Sequence, residues 1–300
     1  MIIVTGATGG VGRPLLRLLV DAGERVRAIT RQPAPAGLPA EVDVVVADLT
    51  SGAAVVDCLA DAQAILINPR AVGDNAGPIL ARAVEAGVTR AVVLSAINVE
   101  DDRERQPSRF RGDLNAEVEA AVIASGLEWT SLRSAIYASN MIGLWASQIR
   151  STDVVYGPYA EAMAAPIVEL DVAAVAAAAL RTDQLLGQRV ELTGPDSLSQ
   201  RAMLTSIGEA LGRELAYHEI SPDAAREAMM RQGFPAGFAD AYLRMLAFAV
   251  SAPTPVTDSV SDVLGRDATS LADWAAEHAD AFRSSRTGPE HLDGRVSVGQ

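Results

Sequence analysis

Gly6, Gly9 and Gly12 stand three residues apart in the stretch TGATGGVG, residues 5 to 12. A run with so little side chain brings main-chain N–H groups close to a ligand, and several such groups aimed at one point bind an anion. Each glycine has a role: a tight turn at the first, backbone approach to a diphosphate at the second, close packing of helix on strand at the third. The spacing is a variant of the G-x-G-x-x-G dinucleotide fingerprint, and its setting carries the reading. Met1 to Val4 reads as a buried strand, and Arg13 to Val20 as the opening of a helix whose dipole favours an anion. Gly6, Ala7, Thr8, Gly9, Gly10, Val11 and Gly12 are therefore expected to hold the diphosphate of a dinucleotide.

The ends of the later strands select the rest of that ligand. The segment RVRAIT runs into Arg31 without the Asp or Glu that binds the ribose of a cofactor lacking a 2′-phosphate. An arginine there suits a 2′-phosphate through charge-assisted hydrogen bonds, so NADPH is expected in preference to NADH. The plainer reading of Arg31 is a solvated charge at a strand end. Asp48 and Leu49 follow the third strand, where an adenine can lie; Asp48 could accept from its amino group or cap the next helix. Asn68-Pro69 and Ser95-Ala96 end the fourth and fifth strands and edge the same crevice, touching ribose or nicotinamide or serving as ordinary loop residues.

A regular scaffold must bring these segments together. Strands are expected at Ile2-Val4, Arg25-Thr30, Val42-Ala47, Ala64-Asn68, Ala91-Ser95 and Trp129-Arg133, with helices at Val11-Ala22, Ala53-Ala60, Asn75-Ala86 and Asp113-Ser125. Strands apolar on both faces and separated by helices imply a Rossmann-type doubly wound α/β fold, a parallel sheet covered on both sides with its crevice at the strands' carboxyl ends. Beyond Arg133 helices dominate, at Asp171-Thr182, Ser199-Gly212, Pro222-Arg231, Gly237-Val250 and Ser270-Phe282, with strands at Asp153-Tyr156, Arg189-Leu192 and Ala216-Ile220. The expected division is a dinucleotide-binding domain over 1–133, a small, mainly helical substrate lobe over 134–283, and a disordered polar tail over 284–300. Some segments of the second part are expected to return to the first sheet.

Composition narrows the partners. An apolar content of 49% supplies a core, and a net charge of −13 with no basic run gives nucleic acid or an anionic membrane no electrostatic footing. A single cysteine, Cys58, excludes an internal disulfide, and three scattered histidines offer no metal-ligand spacing. No signal peptide or membrane-length apolar run is visible, so a soluble cytoplasmic protein is expected. All 25 basic residues are arginine, which forbids any mechanism requiring an enzymic lysine.

Four motifs together carry a resemblance: TGATGGVG at 5 to 12, ITRQP at 29 to 33, ADL at 47 to 49, and EAAVIASGLEWTSLRSAIYASN at 119 to 140. With the closing DVLGRDATSLADWAAEHADAF at 262 to 282, the chain resembles the NmrA-like branch of the short-chain dehydrogenase/reductase superfamily. The resemblance implies an NADP(H)-preferring Rossmann domain and a small lobe closing a substrate cleft. Some such proteins reduce quinones, ketones, imines or activated double bonds; others bind the cofactor as redox-sensing regulators.

The superfamily's Tyr-x-x-x-Lys pair is absent: Arg111 stands where the tyrosine would be and Asn115 where the lysine would be. Hydride transfer still needs only a nicotinamide, a positioned acceptor and a proton source. A hydroxylated aromatic ketone or quinone can stabilise its own developing oxyanion, with Ser95, Asn98 or Asn115 as positioning groups. A reductase of an aromatic or polycyclic substrate, in secondary metabolism, is the expected activity; a non-catalytic NADP(H)-sensing protein is the alternative. Tyr137, Met141 and Trp145 are expected to line the substrate cleft, although helical packing would also explain them. The charged stretch 100–113 reads as a solvated loop, with a lid as its alternative.

Overall fold

The computed structural model describes residues 1–31, 33, 37–51 and 58–283. One sheet contains β1 (Ile2–Thr5), β2 (Val26–Thr30), β3 (Asp43–Val46), β4 (Ala64–Ile67), β5 (Arg90–Ala96), β6 (Glu128–Ser134) and β9 (Gln188–Leu192). Its order is β3-β2-β1-β4-β5-β6-β9, parallel at every pairing. This is the Rossmann-type doubly wound arrangement. Two short sheets pair β7 (Val154–Gly157) with β11 (Ala216–Glu219) and β8 (Met163–Ala164) with β10 (Leu198–Ser199).

Central strands β1 and β4 are buried at every position because helices cover both faces. On one face lie α1 (Gly12–Asp21) and, after α2 (Pro69–Val72), α3 (Ala76–Glu85), α4 (Asn115–Ala124) and α5 (Asn140–Ser151) in the chain, α6 (Glu169–Arg181). Leu15, Leu16 and Leu19 point inward from α1 against Val172, Val175 and Ala176 of α6, each leucine contributing about 1.5–3 kcal/mol by burial. On the other face α3 and α4 set Ile79, Leu80, Val118 and Val122 against Ile3, Ile65 and Ile67.

The strand order reverses between β1 and β4, and there the crevice begins. The Thr5 hydroxyl crosses it, donating to the Leu66 carbonyl at 2.9 Å and accepting from the Asn68 N–H at 2.8 Å.

The remaining helices are α7 (Gln200–Leu211), α8 (Pro222–Arg231), α9 (Ala236–Ala249), α10 (Ser259–Leu264) and α11 (Leu271–Glu277). Helix α6 and strand β9 return to the large sheet, while α5, α7 and α11 share a second core around Trp145, Ile207 and Trp274. Helix α5 is additional to the elements expected from sequence. The expected Ser270-Phe282 helix ends at Glu277 and continues as a 3-10 turn, Ala279–Phe282. Most of the expected Ala53-Ala60 helix, and the tail 284–300, lie outside the described residues. No helix among the described residues is long and apolar enough to cross a membrane.

Candidate functional site

At the carboxyl end of β1 the chain turns through Gly6, whose φ of +65° favours glycine; a Cβ there would lie 2.5 Å from Asn68 Nδ2. Gly12 opens α1 so close to the turn that a Cβ would overlap the Gly6 carbonyl oxygen and sit 2.8 Å from Ala7 Cα. Within the loop Gly9 N–H donates to Gly6 O at 3.0 Å, and Arg13 donates through its main chain to Gly9 O and through Nε to Thr8 O. No acceptor among the described residues takes the N–H groups of Gly10, Val11 or Gly12, and α1 has neither a side-chain cap nor an acidic first turn. Three successive donors at a helix N-terminus whose first turn holds no acidic residue fit a diphosphate, with the Glu169 side chain of α6 alongside, its Oε1 3.6 Å from where a Cβ on Gly10 would stand.

Arg31 follows β2, exposed. Asp48 follows β3; its Oδ1 accepts from Thr50 N at 3.0 Å and Oγ1 at 2.6 Å, so the capping role is occupied. Those hydrogen bonds, the side-chain one foremost, with help from the Arg31 charge, hold the Asp48 carboxyl below the usual aspartate range. Leu49 is buried in the core that α3 and α4 form with Ile3, Ile65 and Ile67. Asn68 caps α2 by accepting from Arg70 N at 3.0 Å, with Pro69 buried behind it and Ala96 half-buried at the end of β5.

Ser95 turns away from the crevice. Its hydroxyl donates to Glu119 Oε2 at 2.6 Å, inside a buried cluster where Ser131 donates to the same oxygen at 2.8 Å and Arg133 Nη2 reaches Glu119 Oε1 at 2.6 Å. The expected positioning role for Ser95 gives way to a structural one, because a buried carboxylate needs several donors. Burial pushes the Glu119 carboxyl up, yet the hydrogen bonds from Arg133, Ser95 and Ser131 outweigh it and hold the group below the usual glutamate range. Asn98 donates to the Arg105 carbonyl at 3.0 Å and Asn115 to Ser108 Oγ at 3.4 Å, so both amides brace the β5–α4 connection.

That connection is ordered, where sequence alone reads a solvated loop. It forms 3-10 turns at Arg103–Arg105 and Pro107–Arg111 and is clamped to α9. Arg105 lies over the Phe248 ring at 4.0 Å, Arg111 over the Phe238 ring at 5.4 Å, and Arg244 pairs with Glu104. Phe238 stacks in turn between Phe234 and Tyr242, with centroid distances of 5.1 and 6.1 Å.

Of the three expected substrate residues, Tyr137 alone stands at the carboxyl edge of the large sheet, half-buried and bridged to Ile167. Met141 and Trp145 are buried in the small lobe's own core, on the α5 face turned toward Ile207 and Trp274. Spacing had not exposed the groups facing Tyr137: Ser134, Glu169, and the Arg70–Asp113 pair, with Arg70 Nε to Asp113 Oδ1 at 2.7 Å. They converge from four separate segments. No metal-holding cluster occurs among the described residues.

The model of a family described as NAD(P)H-binding matches residues 6–183. The (4-alkanoyl-5-oxo-2,5-dihydrofuran-3-yl)methyl phosphate reductase of Streptomyces griseus is 36% identical over 287 residues, 94% of this chain and 99% of that protein. The NAD(P)H azoreductase of Xenophilus azovorans is 30% identical over 290 residues, again 94% and 99%. The crystal structure of an NADPH-dependent quinone oxidoreductase from Escherichia coli with NADPH superposes with a TM-score of 0.79 at 22% identity, covering 93% of this chain and 99% of that one. Likeness at that identity establishes the shared fold, whereas the sequence relatives and the matched span establish kinship. The chain belongs to the NAD(P)H-binding family and, with reductases among its near full-length sequence relatives, is an NAD(P)H-dependent oxidoreductase.

Proposed function

We propose that this protein is an NADPH-dependent reductase delivering hydride to a ketone or quinone of an aromatic or polycyclic substrate, in the cytoplasm and within secondary metabolism. The observation that carries the reading is the row of unclaimed N–H donors at Gly10, Val11 and Gly12, with Arg31 in the position that suits a 2′-phosphate. The bound coenzyme would supply the hydride. The chain's own residues do the holding: the glycine loop grips the diphosphate, Arg31 neutralises the 2′-phosphate, and Asn68 and Ala96 edge the space beyond. Relatives that reduce a furanone phosphate, azo compounds and quinones support an electron-poor conjugated acceptor.

The deciding experiment follows loss of NADPH absorbance with a panel of hydroxylated aryl ketones and naphthoquinones. Turnover of one or more panel members is expected. Tight NADPH binding with no oxidation across the panel would replace the reductase by a cofactor-sensing protein, the reading that the missing Tyr-x-x-x-Lys pair favours.

Arg31→Asp is expected to reverse coenzyme choice. Loss of a charge-assisted contact worth about 1.5–3 kcal/mol should weaken NADPH about ten- to a hundredfold. NADH should improve as the new carboxylate accepts from the ribose hydroxyls. Titration calorimetry with both coenzymes checks this, and an unchanged ratio would remove Arg31 from the site.

A further inference from the structure

With the Tyr-x-x-x-Lys pair absent, the reductase reading lacks a proton donor. Ser134 ends β6, 5% exposed, and its hydroxyl is buried without an aligned hydrogen-bond partner. Such orphans are uncommon in a folded interior, and a catalytic role or a bound water or ligand is among the things that account for one. Three residues on, Tyr137 brings its phenol near enough for the Ser134 side chain to act on its titration. The backbone fixes that approach: Ile167 N–H donates to Ile136 O and Ala138 N–H to Ile167 O, both at 2.9 Å, bracketing Tyr137. The ring rests on the core cluster that contains Ala7 of the glycine loop and Leu94 of β5, beside half-buried Ile97. Tyr137 thus stands at the strand ends where the ligand crevice of this fold opens.

We infer that Tyr137, with Ser134 beside it, is the catalytic hydroxyl that hydrogen-bonds the acceptor oxygen and protonates it when the acceptor is a ketone, an inference that rests on the reductase reading. As the carbonyl carbon gains hydride, the C–O π pair becomes a lone pair on oxygen. The Tyr137 O–H bond breaks, its proton bonds that oxygen, and the tyrosinate regains a proton from water. The two electrons come from the reduced nicotinamide, which is oxidised once per turnover.

The surroundings of Tyr137 differ from those of a lysine-activated tyrosine. Burial foremost, reinforced by the charges of Glu169 and Asp113, pushes the phenol up to about 12; the neighbouring Ser134 side chain and Arg70 offset them in part. Glu169 faces it from α6, its carboxylate accepting from Ser139, and Asp113 and Arg70 face it as an ion pair. A phenol held neutral still protonates a ketone-derived alkoxide, which is far more basic. It only hydrogen-bonds the weakly basic anion left by a quinone.

The two acceptor classes therefore separate. Tyr137→Phe keeps the ring and its packing. It is expected to lower kcat for a hydroxyaryl ketone about a hundredfold and for a naphthoquinone about threefold or less. The NADPH Kd should be unchanged by tryptophan fluorescence. A readout independent of turnover is 4-nitrophenol binding to the protein with NADP+. The phenolate should bind the wild type at least about tenfold more tightly than Tyr137→Phe, with Ser134→Ala between them. Ketone turnover by Tyr137→Phe within threefold of wild type, or phenolate binding that ignores the substitution, would overturn the inference. A wild type that fails to oxidise NADPH with every acceptor of the panel, yet binds phenolate through Tyr137, would sink the reductase reading and leave the hydroxyl as an oxyanion donor.

Discussion

Gly12→Ala is expected to raise the NADPH Kd about a thousandfold while leaving the protein folded. The added methyl would overlap the Gly6 carbonyl oxygen and lie 2.8 and 2.9 Å from Ala7 Cα and carbonyl carbon. All three obstacles are main chain, so no rotamer relieves them; the β1–α1 turn and the helix must part. Overpacking of this kind costs about 1–3 kcal/mol of stability, which a domain of this size survives. The coenzyme loses more. Hydrogen bonds to a charged diphosphate are worth about 1.5–3 kcal/mol each, and misaligning two of the donors at Gly10, Val11 and Gly12 removes about 4 kcal/mol. Gly143→Ala is the matched control, because a Cβ at that position in α5 meets nothing within 4 Å. Calorimetric titration and a circular-dichroism melt on both variants check the claim. An unchanged Kd in Gly12→Ala would show that the diphosphate binds elsewhere.

The sequence makes this part of the site readable because main-chain geometry, not side-chain convergence, does the binding. Gly6, Gly9 and Gly12 announce a backbone shape, the apolar run before them announces a strand covered on both faces, and the leucines spaced between Arg13 and Arg17 and beyond announce an amphipathic helix. Residues whose roles depend on long-range neighbours were less legible. Ser95 sits at a strand end facing either crevice or helix, and only Glu119, 24 residues away on α4, decides which. Met141 and Trp145 share a helical face that either lines a cleft or fills a core, and α7 and α11 fill it. Helix α5 itself begins without a side-chain cap at Ser139, contains Gly143, and follows a bridge residue, so its start carried no local signal. The orphan hydroxyl of Ser134 was invisible for the same reason: a missing partner is a property of three dimensions.

The buried Glu119 should prove the most stability-critical charge near the site. Its two oxygens accept from Ser95, Ser131 and Arg133, and Arg189 Nε adds a longer contact at 3.3 Å. The side chains of Glu119 and Arg133 are 6% and 8% exposed, so neither can turn to water if the other is lost. Glu119→Ala leaves the Arg133 guanidinium with Glu100 at 2.7 Å, a carboxylate itself largely in solvent, and strands two serine hydroxyls. Removing one member of a buried pair costs about 3–5 kcal/mol, and urea unfolding at pH 7 should show a loss of that size. Glu119→Leu combined with Arg133→Met should recover much of it, since two apolar side chains strand no charge. The pH dependence has a definite sign. Because the folded-state pKa lies below the ordinary value near 4.5, the Glu119 contribution is complete above that pH and fades as pH falls through the folded value. The gap between wild type and Glu119→Ala should therefore narrow in acid. The same variant should also slow turnover, because Glu119 ties β5 to β6 just before the two strands release Ile97 and Tyr137 into the crevice, where Ile97 N–H donates to Ser134 O at 3.0 Å. A Glu119→Ala protein as stable as the wild type at pH 7 would show that water replaces the carboxylate, and that the strand ends hold their register without it.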